Sequence, residues 1–131
     1  MRTMAVRADA RAWLERGKLL DEGVDFDEVK LKVGGPIGLY LRLVKKSAMT
    51  IGDSIWFVSE EKRADDVLLA HELVHVAQYR KMGVPRFLFV YFKDMAKAGF
   101  KYSSRLPLEA PAYERQKLAR SFPRGDEPLN A

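Results

Sequence analysis

The stretch that decides the fold of this chain reads Ala70-His71-Glu72-Leu73-Val74-His75-Val76-Ala77-Gln78. It contains the pattern His-Glu-x-x-His and holds both histidines of the 131-residue protein. Chance gives this pattern in roughly one in a thousand such chains, because two histidines seldom fall four residues apart with a glutamate after the first. On a helix, residues four apart lie on one face, so His71 and His75 can direct two imidazoles at a single ion.

Glu72 lies one helical step from His71, close to such an ion but not bound to it. A carboxylate in this place can accept a proton from water on the metal, which is the arrangement of zinc hydrolases of the zincin type. An isolated histidine pair is more often two core or surface residues. Here the adjacent glutamate and the apolar helix favour a metal site, because burying two imidazoles and a carboxylate without partners is costly.

The composition limits what such a site can contain. A chain of 131 residues is long enough for one domain with a real core. It has no cysteine, which excludes disulfides and cysteine-ligated zinc. With only two histidines available, the third protein ligand must be a carboxylate, which is the gluzincin arrangement.

The charge and hydropathy patterns indicate which partners and which cellular location to expect. The net charge of +5 would suit an anionic partner, but the basic residues are spread along the chain, so we expect no nucleic-acid partner. No apolar run is long enough for a transmembrane segment. The first residues lack the apolar core of a secretory signal, so we expect a cytoplasmic protein or one exported by a signal-independent route.

Hydrophobic periodicity predicts an α+β fold with a small antiparallel or mixed sheet packed on the active-site helix, and the His-Glu-x-x-His motif makes this fold similar to that of the zincins. Helices follow, and the last of them carries the third ligand. The predicted helices span residues 5–16, 37–46, 65–82, 84–100 and 108–121, and the predicted strands 29–33, 49–51 and 54–58. Residues 60–63 are predicted as a polar loop. We divide the chain into an amino-terminal helical arm (1–28), a zincin-like catalytic domain (29–122) and a flexible tail (123–131).

Four acidic residues downstream of the motif are candidates for the third ligand, namely Asp94, Glu109, Glu114 and Glu127. Asp94 follows Lys93 in the middle of a helix, which indicates a surface position, and Glu127 lies in the Pro- and Gly-containing tail. Glu109 and Glu114 share the last helix, but their spacing of five turns them apart, so only one can face the metal.

Glu109 is the preferred ligand, since the small residues around it would let the last helix pack close to the motif helix. Pro111 is tolerated only in the first turn of a helix, so it fixes the helix start close to Glu109. The alternative is that Glu109 is an ordinary acidic residue at a helix start.

The predicted strands 49–51 and 54–58 form a hairpin whose role has two interpretations. Gly52-Asp53 is a typical two-residue hairpin turn. In zincins, an edge strand above the active-site helix holds an extended substrate as an added strand, so this hairpin is our candidate for the rim of the cleft. The alternative is that it forms only core sheet.

The motif His71-Glu72-x-x-His75 with Gln78, followed by Pro107-Leu108-Glu109-x-x-Ala112-Tyr113, resembles the compact gluzincins, the minigluzincin-like zinc metallopeptidases. It is also similar to zincin-like domains of uncharacterised activity that carry the same two patterns. The resemblance covers roughly residues 29–122. It implies that His71, His75 and Glu109 bind Zn²⁺ and that Glu72 is the general base. One departure is that Tyr113 stands where thermolysin-like gluzincins carry an Asp that supports a ligand histidine.

The expected function is therefore zinc-dependent hydrolysis of peptide bonds in a peptide or protein substrate. Glu72 would take the proton of the zinc-activated water and pass it to the leaving amine. Tyr113 and Tyr102 are the candidate donors to the oxyanion, with Tyr113 preferred as a catalytic residue. The alternatives are a catalytically silent zincin-like binding module with a structural zinc, and a latent enzyme whose tail (121–131) occupies the cleft.

Overall fold

The computed structural model of the chain describes residues 2–21, 24–99 and 105–122. In these ranges it contains four strands and six helices, in agreement with the predicted α+β class. In chain order they are β1 (Arg2–Met4), α1 (Ala8–Arg16), β2 (Lys30–Val33), α2 (Gly35–Leu43), β3 (Ala48–Ile51), β4 (Ser54–Phe57), α3 (Glu60–Arg63), α4 (Asp66–Met82), α5 (Val84–Lys97) and α6 (Ala110–Ser121).

The strands form one mixed sheet in the order β1-β2-β4-β3. β1 is antiparallel to β2, β2 is parallel to β4, and β3 is antiparallel to β4. The predicted hairpin is present, with Gly52 at φ 63° in its turn. Since β3 lies at the end of the sheet, it is an edge strand. The sequence did not predict β1, because three residues carry too little periodicity and this strand is defined by its pairing with β2.

A single buried core joins the sheet to α1 and α4. Its largest side chains that are almost fully buried include Trp13, Leu14, Leu31, Ile55, Phe57, Leu69, Leu73 and Val76. Trp13 also donates a hydrogen bond from Nε1 to the carbonyl of Phe122, at 3.3 Å. Helix α1 therefore shares its core with the sheet and with α4.

Helix α4 is the central helix of the fold. It begins after Asp65, whose carboxylate caps the helix by accepting from the backbone N–H groups of Val67 and Leu68 at 3.1 and 3.2 Å. Residues 69–77 are all buried, so α4 is covered on every side over two turns. At 17 residues it is the longest of the described helices, and none of these is long and apolar enough to cross a membrane.

The polar segment at residues 60–63 differs from its prediction as a loop. It forms the short helix α3, which Ser59 caps by accepting a hydrogen bond from the backbone N–H of Lys62 at 3.2 Å. Four polar residues carry no hydrophobic periodicity, so a pattern search misses them. The helix results from its cap and from the charges placed favourably at its two ends.

Gly83 alone joins α4 to α5. Its backbone conformation should make the stability of the protein sensitive to substitution at this position. Its φ of 83° and ψ of 152° lie in a region that only glycine adopts readily, while a Cβ there would meet no atom within 4 Å. Gly83→Ala should therefore lower the free energy of unfolding by about 1–3 kcal/mol through backbone strain alone. Chemical denaturation measures this difference.

Gly38 provides the matched control. It lies within α2, has no positive φ, and a Cβ there also meets no atom within 4 Å. Gly38→Ala should leave stability unchanged or raise it by about 0.5–1 kcal/mol, as expected for replacing glycine inside a helix. Equal destabilisation by the two substitutions would contradict the assignment of the Gly83 effect to its backbone angles.

Candidate metal centre

Helix α4 brings the three residues of the motif into one buried group. His71, Glu72 and His75 are 4%, 5% and 6% exposed, and their ligand-capable atoms all lie within 4.8 Å of one another. The i, i+4 spacing places the two imidazoles one turn apart on the same side of the helix. Their ring centroids are 5.4 Å apart.

Glu109 reaches this group from a different part of the chain. It occupies the position directly before α6, which begins at Ala110 with Pro111 in its first turn. The Glu109 side chain is buried, and its Oε1 lies 2.9 Å from Nε2 of His75 and 3.4 Å from Nε2 of His71. The structure thus brings together His71, Glu72, His75 and Glu109, the four residues that the sequence analysis proposed for a metal site.

The outward-facing nitrogens of both histidines are held by side-chain amides. Nδ1 of His71 lies 2.7 Å from Oε1 of Gln116, and Nδ1 of His75 lies 2.9 Å from Oε1 of Gln78. The Gln78 amide also donates from Nε2 to the carbonyl of Leu108 at 3.0 Å, which fixes the orientation of the amide. Nδ1 of His75 must then carry the proton that Gln78 accepts.

This hydrogen bonding tests whether the residues fit a metal ion. In a neutral His75, protonation of Nδ1 leaves a lone pair on Nε2, and that lone pair points at a carboxylate oxygen of Glu109. Two acceptors 2.9 Å apart in a buried site require a cation between or beside them, either a proton or a metal. Two imidazoles and one carboxylate are a donor set that zinc commonly takes. The residues therefore fit a divalent metal ion.

Tyr91 of α5 holds the second oxygen of Glu109. Its hydroxyl donates to Oε2 at 2.8 Å, which leaves Oε1 for the two histidines. The Tyr91 ring belongs to an aromatic stack in which Phe87 lies between Tyr79 and Tyr91, with ring centroids 3.8 and 5.9 Å apart. This stack holds the Tyr91 side chain in the position from which it orients the Glu109 carboxylate.

The electrostatics of the group favour a charged pair when no metal is bound. Burial alone lowers the pKa of His75, but the hydrogen bond to Glu109 and the charges of Glu72 and Glu109 outweigh it, so the pKa lies above its usual 6.5. Burial raises the pKa of Glu109, yet the hydrogen bonds from both histidines and Tyr91 hold it well below its usual range. Burial and the nearby Glu109 carboxylate raise the pKa of Tyr91, so the tyrosine stays a donor.

Glu72 is anchored to the edge strand of the sheet. The hydroxyl of Thr50 in β3 donates to Oε1 of Glu72 at 2.9 Å, and Thr50 is itself buried. The other carboxylate oxygen, Oε2, lies 3.6 Å from Nε2 of His71. One oxygen of Glu72 is thus fixed in place while the other faces the histidines.

The other residues that the sequence analysis considered for the site lie around this group, on the surface or outside the described residues. The Tyr113 ring packs edge-to-face on His71, with centroids 4.6 Å apart. Asp94 is half-buried on α5, and Glu114 is exposed on α6. Tyr102, Glu127 and the tail at 123–131 lie outside the described residues.

Four residues in this site were given no role in the sequence analysis: Thr50, Gln78, Tyr91 and Gln116. Helical spacing could have identified two of them. Gln78 lies three residues after His75, and Gln116 lies seven after Glu109, so each shares a helix face with a motif residue. Thr50 and Tyr91 carry no local signal, because their partners lie on other elements.

The chain matches the model of the eCIS core domain over residues 5–83, which is more than half of its length and includes β2, β3, β4 and the motif helix. Glu109 lies beyond the matched residues. No curated protein and no solved structure matches the chain. The chain therefore belongs to the eCIS core domain family, which is related to the zincin-like metallopeptidases.

Proposed function

We propose that this protein is a zinc-dependent metallopeptidase of the gluzincin type. In this proposal His71, His75 and Glu109 hold the zinc ion, and Glu72 is the general base. The observation that carries it is the convergence of Nε2 of both histidines on a single Glu109 oxygen. The two Nδ1 atoms face amide oxygens, which leaves Nε2 free to act as the ligand atom.

The distances favour Glu109 over Glu72 as the third ligand. Oε1 of Glu109 lies within 3.4 Å of both Nε2 atoms, whereas the Glu72 oxygen facing the histidines lies 3.6 Å from that of His71. The other Glu72 oxygen is already engaged by Thr50. This division leaves Glu72 beside the ion with a free oxygen, as a general base requires.

The chemistry then depends on a small number of side chains. When held by His71, His75 and Glu109, zinc would act as a Lewis acid that lowers the pKa of bound water and polarises the scissile carbonyl. Oε2 of Glu72 accepts the proton of the attacking water and returns it to the leaving amine nitrogen. Gln78 and Gln116 keep the imidazoles oriented, and Tyr91 keeps Glu109 turned toward them.

The edge strand β3 supports an extended peptide as the substrate. No described strand pairs with its outer edge, so a peptide can add there as a further strand through backbone hydrogen bonds. Thr50 of this strand holds Glu72, which places such a peptide beside the general base. This is the rim role that the sequence suggested for the hairpin.

Thr50 is a positioning residue in this proposal, and the chain allows a clean test of it. Thr50→Val keeps the shape but removes the hydroxyl, so kcat should fall by roughly tenfold to a hundredfold as Glu72 loses its orientation. KM and zinc content should change little. Thr50→Ser restores the hydroxyl and should recover most of kcat; a Ser variant as slow as the Val variant would show that packing, not the hydrogen bond, matters.

Tyr113 is proposed as the donor to the developing oxyanion, since it lies against the ligand His71. Tyr113→Phe should lower kcat by about a hundredfold while zinc content stays unchanged, as for the loss of one oxyanion donor. Steady-state kinetics with a fluorogenic peptide measures the effect. An unchanged kcat would remove Tyr113 from the mechanism.

The proposed function is tested on the wild-type protein, purified without chelator or a histidine tag. Mass spectrometry should find one zinc per chain, and a mixture of quenched fluorescent peptides should be hydrolysed in a reaction that a chelator stops and added zinc restores. Absence of zinc after reconstitution would overturn the proposal. Zinc without hydrolysis of any peptide would overturn the peptidase and leave a binding module with a structural zinc.

A further inference from the structure

Helix α5 has two sides with different roles. One side faces the protein, where Phe87 is buried and Tyr91 binds Glu109. The other side exposes two aromatic residues, since Phe89 and Phe92 are 68% and 63% exposed. Their spacing of three residues places them next to each other on the helix surface. Two neighbouring exposed phenylalanines form an apolar patch, and such patches can mark binding surfaces.

Three cations lie beside these phenylalanines. Arg86, Lys93 and Lys97 are all exposed, and their spacings of seven and four residues align them along one face of α5. None of them forms an ion pair with a carboxylate in the part of the chain that the structure describes. Their charge is therefore available to a partner.

The negative charge on α5 lies away from the phenylalanines. Its single acidic residue, Asp94, is half-buried and lies on the flank of the helix that is turned toward the protein. The outward face of α5 thus combines an apolar strip with a cationic strip. Phe92 also packs edge-to-face on Tyr91, with ring centroids 6.4 Å apart, so the apolar strip borders the side of the helix that binds Glu109.

We infer that the outward face of α5 docks on a membrane surface that contains anionic lipid. Phenylalanine side chains enter the boundary between headgroups and acyl chains, and flanking lysine and arginine residues attract anionic headgroups. The exposed strip lies on a single helix and needs no groove to receive it, which suits a flat lipid surface. Charge complementarity selects anionic over zwitterionic lipid.

The size of the effect follows from the three cations. Each Lys or Arg near an anionic surface strengthens binding about fivefold, so three of them contribute about a hundredfold. The phenylalanines add an apolar contribution that salt does not screen. Binding should therefore weaken with salt but not vanish.

The test is co-sedimentation of the full chain with phosphatidylcholine vesicles, with and without phosphatidylserine. The wild type should bind the vesicles with phosphatidylserine about a hundredfold more tightly than those without it. Lys93→Glu with Lys97→Glu should reduce the partition coefficient at least about thirtyfold, and Phe89→Ser with Phe92→Ser should reduce it without a change in net charge. Melting temperatures establish that each variant is folded.

The matched control is Lys117→Glu with Arg120→Glu on α6, where both cations are exposed and the net charge changes equally. This variant should bind vesicles like the wild type. Equal loss in the control would show attraction by net charge alone and overturn the inference, as would a wild type that does not bind. A dimer that the phenylalanine substitutions disperse would overturn it in favour of a second copy of the chain.

The inference is independent of the proposed zinc chemistry. His75→Ala removes a proposed metal ligand whose ring contacts Phe87 on the inward side of α5, with ring centroids 6.0 Å apart, and the folded variant should bind vesicles as the wild type does. Failure of the peptidase assay therefore leaves the vesicle result interpretable. Loss of vesicle binding in a folded His75→Ala protein would contradict a surface confined to α5.

Discussion

The Glu72→Gln protein should hydrolyse peptides about two to four orders of magnitude more slowly than the wild type and still carry one zinc per chain. Glutamine has the same shape as glutamate but cannot accept the proton of the attacking water. Its amide oxygen can still accept the hydrogen bond that Thr50 donates to Oε1, so the side chain should stay in place. Turnover is measured with a fluorogenic peptide, and zinc by mass spectrometry.

Glu61→Gln is the control for this experiment, because Glu61 is an exposed carboxylate on α3 and lies outside the site. It should show wild-type kinetics. A Glu72→Gln protein with undiminished turnover would rule out Glu72 as the base. Slow turnover together with lost zinc would instead make Glu72 a metal ligand.

The Glu109→Gln protein should bind zinc more than about a hundredfold more weakly than the wild type. Removing a residue that only hydrogen-bonds a metal ligand already weakens metal binding about tenfold to a hundredfold, and Glu109 is proposed as a ligand itself. An amide keeps the shape of the side chain and can still accept from Tyr91, but it carries no charge to neutralise the ion. Competition with a fluorescent chelator measures the affinity. Peptide hydrolysis should fall in parallel with zinc occupancy.

Glu114→Gln provides the comparison, since Glu114 is the other acidic residue of α6 and is exposed. It should bind zinc as the wild type does. The pair of Glu72→Gln and Glu109→Gln also separates the two possible ligand sets. Zinc retained in the first and lost in the second identifies Glu109 as the third ligand, and the reverse pattern identifies Glu72.

The sequence by itself determined the parts of this protein that depend on local order. The spacing of His71 and His75 fixes two imidazoles on one side of α4, whatever surrounds the helix. The turn at Gly52-Asp53 specifies the β3–β4 hairpin, and Pro111 fixes the start of α6 next to Glu109. Each of these signals acts within a few residues, so reading the chain is enough to find it.

Only the tertiary structure decided which side chains hold these residues in place. Thr50 lies 22 residues from Glu72, Tyr91 lies 18 from Glu109, and Gln116 lies 45 from His71. The same holds for β1, which exists only through its pairing with β2. No local pattern specifies such partners, because the contacts form only when the sheet, α5 and α6 pack around α4. The candidate ligands could thus be identified from the sequence, whereas the hydrogen bonds that orient them are a property of the packed fold.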